Sequence, residues 1–304
     1  MKEHFSRPKS FGQILDQTFR ISKNHFSTFF LITLIVVSPV ILIEALIAML
    51  TGTELIRDVA GGETVWEQLY NTINESAYTP TSLAQDFGVL LVGFISVIFY
   101  PIAQAAILYG IDAIRKEEHF TASTLIKKAF ARFWPIFGSA LLFRVIIFAL
   151  IFIPVLVISV FMLASLMMNP MMGIFPVIIL FLAVGCVIAF LLTRWGLYLP
   201  AVVFERVAPG LERSWNLTRG NFWRTFGLFV VIGAITIIIS VILDFVLISI
   251  FGYSVLYSVL LSISTIITRM FFSVGYGLIY FDLKLRNDGD DLMEMIENYD
   301  SINS

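Results

Sequence analysis

A chain of 304 residues with one cysteine has no internal disulfide to rely on, and no thiolate metal cage. That residue, Cys186, lies in an apolar run. Histidine is nearly as scarce. His4, His25 and His119 are each followed by Phe, and each reads as a polar residue at a membrane edge. No H-E-x-x-H, G-x-S-x-G or phosphate-cradling Walker loop occurs. No catalytic residue, metal or cofactor is therefore assigned, and enzymatic chemistry is not expected. Charge is sparse too, at 14% of residues, where a soluble domain has about 25%. That excludes a soluble protein with a large core.

What fills the chain instead is apolar. Hydrophobic residues make up 58%, and the 29 Phe outnumber the 20 Lys and Arg; mean hydropathy is +0.90. The apolar runs reach the ~20 residues that cross a bilayer. Six spans are predicted, at 26–50, 86–113, 134–163, 174–204, 223–250 and 254–283. The fold class is all-α: a polytopic membrane protein forming a single membrane domain over 1–304. The first run begins near Phe26, has full spanning length and precedes no A-x-A-type site, so no cleavable signal peptide is expected.

Placement of charge sets orientation better than the net charge of −2. Lys2, Arg7, Lys9, Arg20 and Lys23 precede span one. Arg115, Lys116, Lys127, Lys128 and Arg132 follow span two. Arg206, Arg213, Arg219 and Arg224 follow span four, and Lys284 and Arg286 follow span six. The three other connections hold only Arg57. Basic loops stay in the cytoplasm, which places both termini there, in a plasma-membrane protein. The outer loop 51–85 is acidic, and 64–73 is predicted as a short helix around Trp66, Leu69 and Tyr70. It reads as a solvated lid, because its acids lack the spacing of a calcium loop. The other outer connections, MMNPMMG and FGYS, are tight hairpins.

The hexapeptides FWPIFG and FWRTFG, at 133–138 and 222–227, point to an internal repeat. An amphipathic stretch precedes each odd-numbered span. The first carries Phe11, Ile14, Leu15, Thr18 and Phe19 on one face, with Ser10 and Gln13 as a capping box. The second carries Ala122, Leu125, Ile126, Ala129 and Phe130. The third carries Leu211, Trp215, Thr218 and Phe222, with Pro209 in its first turn. Three units follow, 1–113, 114–204 and 205–285, each an interfacial helix plus a transmembrane hairpin, and then an acidic tail, 286–304. On one helical face the tail carries Leu292, Met295, Ile296 and Tyr299. Gly138 and Gly227 are expected to admit a close neighbour, and Pro39, Pro101, Pro154 and Pro200 are read as packing kinks.

Five ionisable residues lie inside the spans: Glu44, Arg144, Arg194, Asp244 and Arg269. Counted from Arg132, Glu205 and Asp282, the arginines lie about 11–13 residues inward, or roughly 17–20 Å along straight helices. Glu44 and Asp244 lie nearer the outer face. Such charges face the bundle interior and find partners. In one reading the arginines lock the bundle by donating to backbone carbonyls, Gln104, Thr193, Thr268 or the two acids. In the other they form a ring for an anionic group such as a lipid phosphate, which guanidinium groups suit. At the cytoplasmic edge, Lys127, Lys128, Arg132, Phe133, Trp134, Arg219, Phe222, Trp223 and Arg224 are the expected lipid contacts.

The segments RPKSFGQILDQTFRISKNHF and LERSWNLTRGNFWRTFGLF resemble the membrane-domain family named after glycerophosphoryl diester phosphodiesterases. The resemblance implies a stand-alone bacterial multi-pass protein. It implies no phosphodiesterase activity, because the catalytic domain and its His-Arg-Gly and paired-acid stretches are absent from this sequence. Sequence alone thus points to a non-catalytic scaffold or accessory protein that binds anionic membrane lipid, or a membrane or cytoplasmic protein partner, and no nucleic acid. The alternatives are a transporter or lipid-translocating protein using the buried arginines and, more weakly, an intramembrane lipid enzyme.

Overall fold

The computed structural model describes residues 8–56, 82–168 and 170–303, with Glu67, Tyr70, Asn71 and Asn74 between the first two stretches. Among the described residues the chain is helical and without strands. Side chains at 164–176 and 288–304 lie outside the description, and with them the apolar face expected of the tail. Trp66 and Leu69 lie outside it as well, although Glu67, Tyr70 and Asn71 are helical.

Among the described residues six helices are long and apolar enough to cross a membrane, over Phe26–Leu50, Leu83–Lys116, Phe133–Leu163, Val177–Glu205, Phe222–Phe251 and Val255–Asn287. The expected spans match to within a few residues. In chain order the elements are α1 (Phe11–Asn24), α2 (Phe26–Leu50), α3 (Leu83–Lys116), α4 (Ala122–Phe130), α5 (Phe133–Met168), α6 (Pro170–Trp195), α7 (Leu211–Leu217), α8 (Phe222–Phe251) and α9 (Val255–Asn303). They pack as two compact units, Met1–Phe133 with Gly227–Ser304, and Trp134–Phe226.

In the first unit the amphipathic helices form for local reasons. Ser10 caps α1 through a box in which its side chain accepts from the Gln13 N–H and the Gln13 side chain accepts from the Ser10 N–H. Thr121 and Thr124 do the same for α4. The buried stripe of α1 is Ile14, Gln17, Thr18, Ile21 and Ser22, turned from the expected face, so that Phe19 is half exposed.

The position of α1 is the main surprise. It runs antiparallel along α9. The Lys9 N–H donates to Asp282 Oδ1 at 2.7 Å, Thr18 faces Gly275, and the rings of Phe19 and Phe271 lie 4.7 Å apart. Over that length the other face of α1 exposes Asp16, Arg20 and Lys23. A face of that kind needs water or headgroups beside it. The part of α9 that α1 covers therefore stands on the basic side of the hydrocarbon.

Helix α3 changes character along its length in the same way. At 34 residues it is roughly 51 Å long, against about 30 Å of hydrocarbon. Its first half exposes Leu83, Phe87, Leu90 and Phe94, whereas Pro101–Ile114 is almost wholly buried. The buried half is covered by α2, α4 and α9. A Cβ on Gly110 would stand 2.6 Å from the Phe29 ring and 3.1 Å from Leu125, so glycine is what lets three helices meet there. Leu83–Tyr100 spans roughly 27 Å, which places the basic-side edge of the hydrocarbon near Tyr100.

Two local expectations need correction. A Cβ on Gly138 would meet nothing within 4 Å, and one on Gly227 would meet only Phe11 at ordinary contact distance; neither glycine admits a close helix. Pro209 precedes α7, which starts at Leu211 behind Gly210. Pro39, Pro101 and Pro154 lie inside α2, α3 and α5, where a proline removes a backbone hydrogen bond as the expected kinks require.

The α1–α9 contact is closed by a polar latch. Arg286 donates to Asp282 Oδ2 at 3.0 Å and to the Lys9 carbonyl at 2.8 Å, while Lys9 Nζ donates to Gln17. Burial pushes the Lys9 ammonium down to about 8; Asp282 opposes the shift and Arg20 adds to it. A lysine lowered on docking opposes docking while charged. The penalty is full below about 8 and vanishes as pH passes the free value of 10.5. Thermal unfolding should accordingly show wild type gaining stability between pH 7.5 and 9.5 relative to Lys9→Met. Parallel pH profiles for the two proteins would contradict this account.

Candidate functional site

The arginines were the strongest candidates in the sequence, and two of the three, Arg194 and Arg269, meet aromatic rings. In the first unit, the Arg269 guanidinium carbon sits 3.8 Å from the Tyr100 ring centroid, and Arg269 is exposed. Tyr100 marks the edge of the hydrocarbon, so Arg269 lies at headgroup level. The expectation of a deep position assumed that α9 enters the membrane at Asp282. It enters about 13 residues away, near the Arg269 level, because α1 covers the intervening turns.

Arg194 belongs to the second unit. Its guanidinium carbon lies 5.3 Å from the Phe190 centroid, 5.2 Å from Trp215 and 5.6 Å from Phe222. The walls of this box pack on one another, with Phe190 5.9 Å from Trp215 and 5.1 Å from Phe222. Arg194 Nε and Nη1 are buried without a hydrogen-bond partner. Charge–quadrupole attraction is what holds the cation there, and it is stronger where water is excluded.

The box depends on a break in the span. Helix α6 stops at Trp195, a short turn covers Tyr198–Pro200, and Ala201–Glu205 winds as a π-helix. Ser214, fully buried on α7, fills the gap. Its hydroxyl donates to the Arg194 carbonyl at 2.7 Å and accepts from the Leu197 N–H at 2.9 Å, so both backbone groups freed by the break are satisfied. Gly210 lets α7 come this close. Its φ is +78°, and a Cβ there would lie 2.4 Å from the Tyr198 carbonyl oxygen. Arg213 and Glu205, paired at 2.5 Å, close the connecting loop. A straight-helix count from Glu205 therefore fails for Arg194, which sits beside α7 and the first residue of α8. Arg144 is half-buried. It acts electrostatically on Tyr198, whose ring lies 4.2 Å from that of Phe143.

The other proposed partners are engaged elsewhere. Ser262 donates to Glu44 at 2.9 Å and Tyr257 donates to Asp244 at 2.6 Å, both toward the hairpin side. Thr193 bonds to the Ala189 carbonyl and Thr268 to the Thr265 carbonyl, each within its own helix. Gln104 is half-buried on α3, one turn beyond Tyr100.

The edge residues divide by type. Trp134 and Trp223 are 76% and 79% exposed, while Phe133 and Phe222 are half-buried. Lys127, Lys128 and Arg219 are exposed, and Arg132 and Arg224 are half-buried. Lys128 Nζ also lies 4.7 Å above the Tyr109 ring. Sequence reasoning missed the Lys9–Asp282–Arg286 latch and Ser214. Its one available signal for Asp282 was an acid at the end of an apolar run.

Among the described residues no three His, Cys, Asp or Glu side chains gather as metal ligands. Comparison with protein-family models, curated proteins and solved structures finds no match.

If Ser214 is what stabilises the broken span, Ser214→Ala should cost about 1–3 kcal/mol, the penalty for leaving buried backbone groups unsatisfied. Melting of the purified protein should drop accordingly, whereas an unchanged melting temperature would mean that water replaces the hydroxyl.

Proposed function

We propose that this chain is a non-catalytic scaffold or accessory protein of the plasma membrane, with cytoplasmic termini, that gathers anionic lipid at its basic side. The observation that supports it is the exposure of Trp134 and Trp223 at the first turns of α5 and α8, close in sequence to Arg132 and Arg224. Exposed tryptophan favours headgroup depth, and each Lys or Arg near an anionic surface adds about 1 kcal/mol. The threefold unit of amphipathic helix and hairpin belongs to this reading, supported by the matching caps of α1 and α4. So does kinship with the stand-alone bacterial members of the phosphodiesterase membrane-domain family.

Lipid translocation is the second reading. One observation favours it: two guanidinium nitrogens of Arg194 are buried with no hydrogen-bond partner. The aromatic box already stabilises that cation, so the scaffold reading is preferred.

Tryptophan quenching in bilayers tests the preference. Brominated anionic lipid should quench more strongly than brominated zwitterionic lipid at equal mole fraction. Replacing Lys127, Lys128 and Arg219 together by Gln should abolish the difference. Equal quenching of wild type by both lipids would refute the reading.

A further inference from the structure

The first unit contains a cavity of about 460 Å³ where α1, α8 and α9 meet at the start of α2. That volume falls within the roughly 300–1,000 Å³ of pockets that hold organic ligands. Its walls are mainly apolar, with Phe19 and Phe26 on one side and Ile239, Ile267 and Phe271 on the other. Three hydroxyl-bearing residues line it. Thr236 and Thr268 are bonded to carbonyls of their own helices. Ser22 is not: it is only 7% exposed, and its Oγ has no hydrogen-bond partner. An unpaired hydroxyl buried in a protein wall is costly, and turning its side chain toward an acceptor held in the cavity would relieve it. Lys23, exposed in the last turn of α1, lines the same cavity and supplies the only charge in its described lining.

Level decides what that acceptor is. Thr268, in the lining, precedes Arg269, which lies over Tyr100 at the basic-side edge of the hydrocarbon. A cavity there has lipid phosphates at its mouth and acyl chains along its outer wall, where Ile239 is 37% exposed. We propose that this cavity holds one anionic glycerophospholipid, with its phosphate at Lys23 and Ser22 and the start of an acyl chain against Ile239 and Ile267.

The proposal rests on the lipid-binding reading above and gives it a discrete site away from the tryptophan edges. Native mass spectrometry of the full chain, purified from bilayers containing phosphatidylglycerol and phosphatidylcholine, reads it directly. Wild type should retain one phosphatidylglycerol. Lys23→Gln should lower that occupancy by about fivefold, from the ~1 kcal/mol of one basic residue. Ser22→Ala should lower it as well, and Ile239→Trp should block it by filling the cavity. Lys23 and Ile239 are surface positions, and monodisperse elution establishes that these variants fold. Glu212→Gln, an exposed change outside the cavity lining, should keep the lipid. If all three cavity variants retain phosphatidylglycerol like wild type, this site is wrong, while the tryptophan quenching preference still stands. If wild type retains no lipid, or retains phosphatidylcholine equally well, the site is wrong too. Loss of the quenching preference alongside would bring down the broader reading with it.

Discussion

A helix that shows Asp16, Arg20 and Lys23 on one face and Ile14, Thr18 and Ile21 on the other has one stable setting: its apolar stripe on protein, its charged face in water or among headgroups. In this protein the surface it covers is the flank of α9, and the Lys9–Asp282–Arg286 latch fixes the register. Much else follows from that constraint. It sets the turns of α9 beyond Arg269 outside the hydrocarbon, and with them the half of α3 packed against those turns. The long helices are therefore membrane spans joined end to end with segments of a water-facing bundle. This accounts for the abrupt change along α3 from exposed leucines and phenylalanines to a buried stretch.

Placing the edge there changes the chemistry of the arginines. At mid-bilayer, Arg269 would carry a large insertion cost. Beside Tyr100 at the edge it has a ring on one side and headgroups on the other. Arg194 reaches a comparable balance by another route, inside a box of Phe190, Trp215 and Phe222 made possible by Ser214. Glu44 and Asp244, toward the hairpin side, each accept from a hydroxyl of α9.

Much of the architecture was legible in the sequence. Six apolar runs and the basic loops between them placed the spans to within a few residues. Ser10 with Gln13 announced the α1 cap because a capping box is a local hydrogen-bond pattern. Depth was not legible. Counting inward from Asp282 treats every apolar helical residue as lying in lipid, but Leu278 and Tyr280 are apolar because they face neighbours in a protein core. Composition does not separate those two apolar environments. Tertiary partners were equally hidden. The sequence pairs the arginines with acids and threonines, whereas the described contacts of Arg194 and Arg269 are with aromatic rings, whose abundance in this chain makes no single pairing stand out. Ser214 shows the same limit, since only the break at Trp195–Leu197 gives its hydroxyl two partners.

The claim on which the rest depends is the level of Arg269. Nitroxide labels placed singly at 23, 269 and 262, on a Cys186→Ser background in nanodiscs, would report depth through their relative accessibility to oxygen and to a water-soluble nickel complex. The account predicts labels at 23 and 269 at headgroup level. It predicts a label at 262 roughly 10 Å further in, from seven residues of helix. A label at 269 reading as deep as the bilayer centre, about 15 Å from either edge of the hydrocarbon, would contradict it.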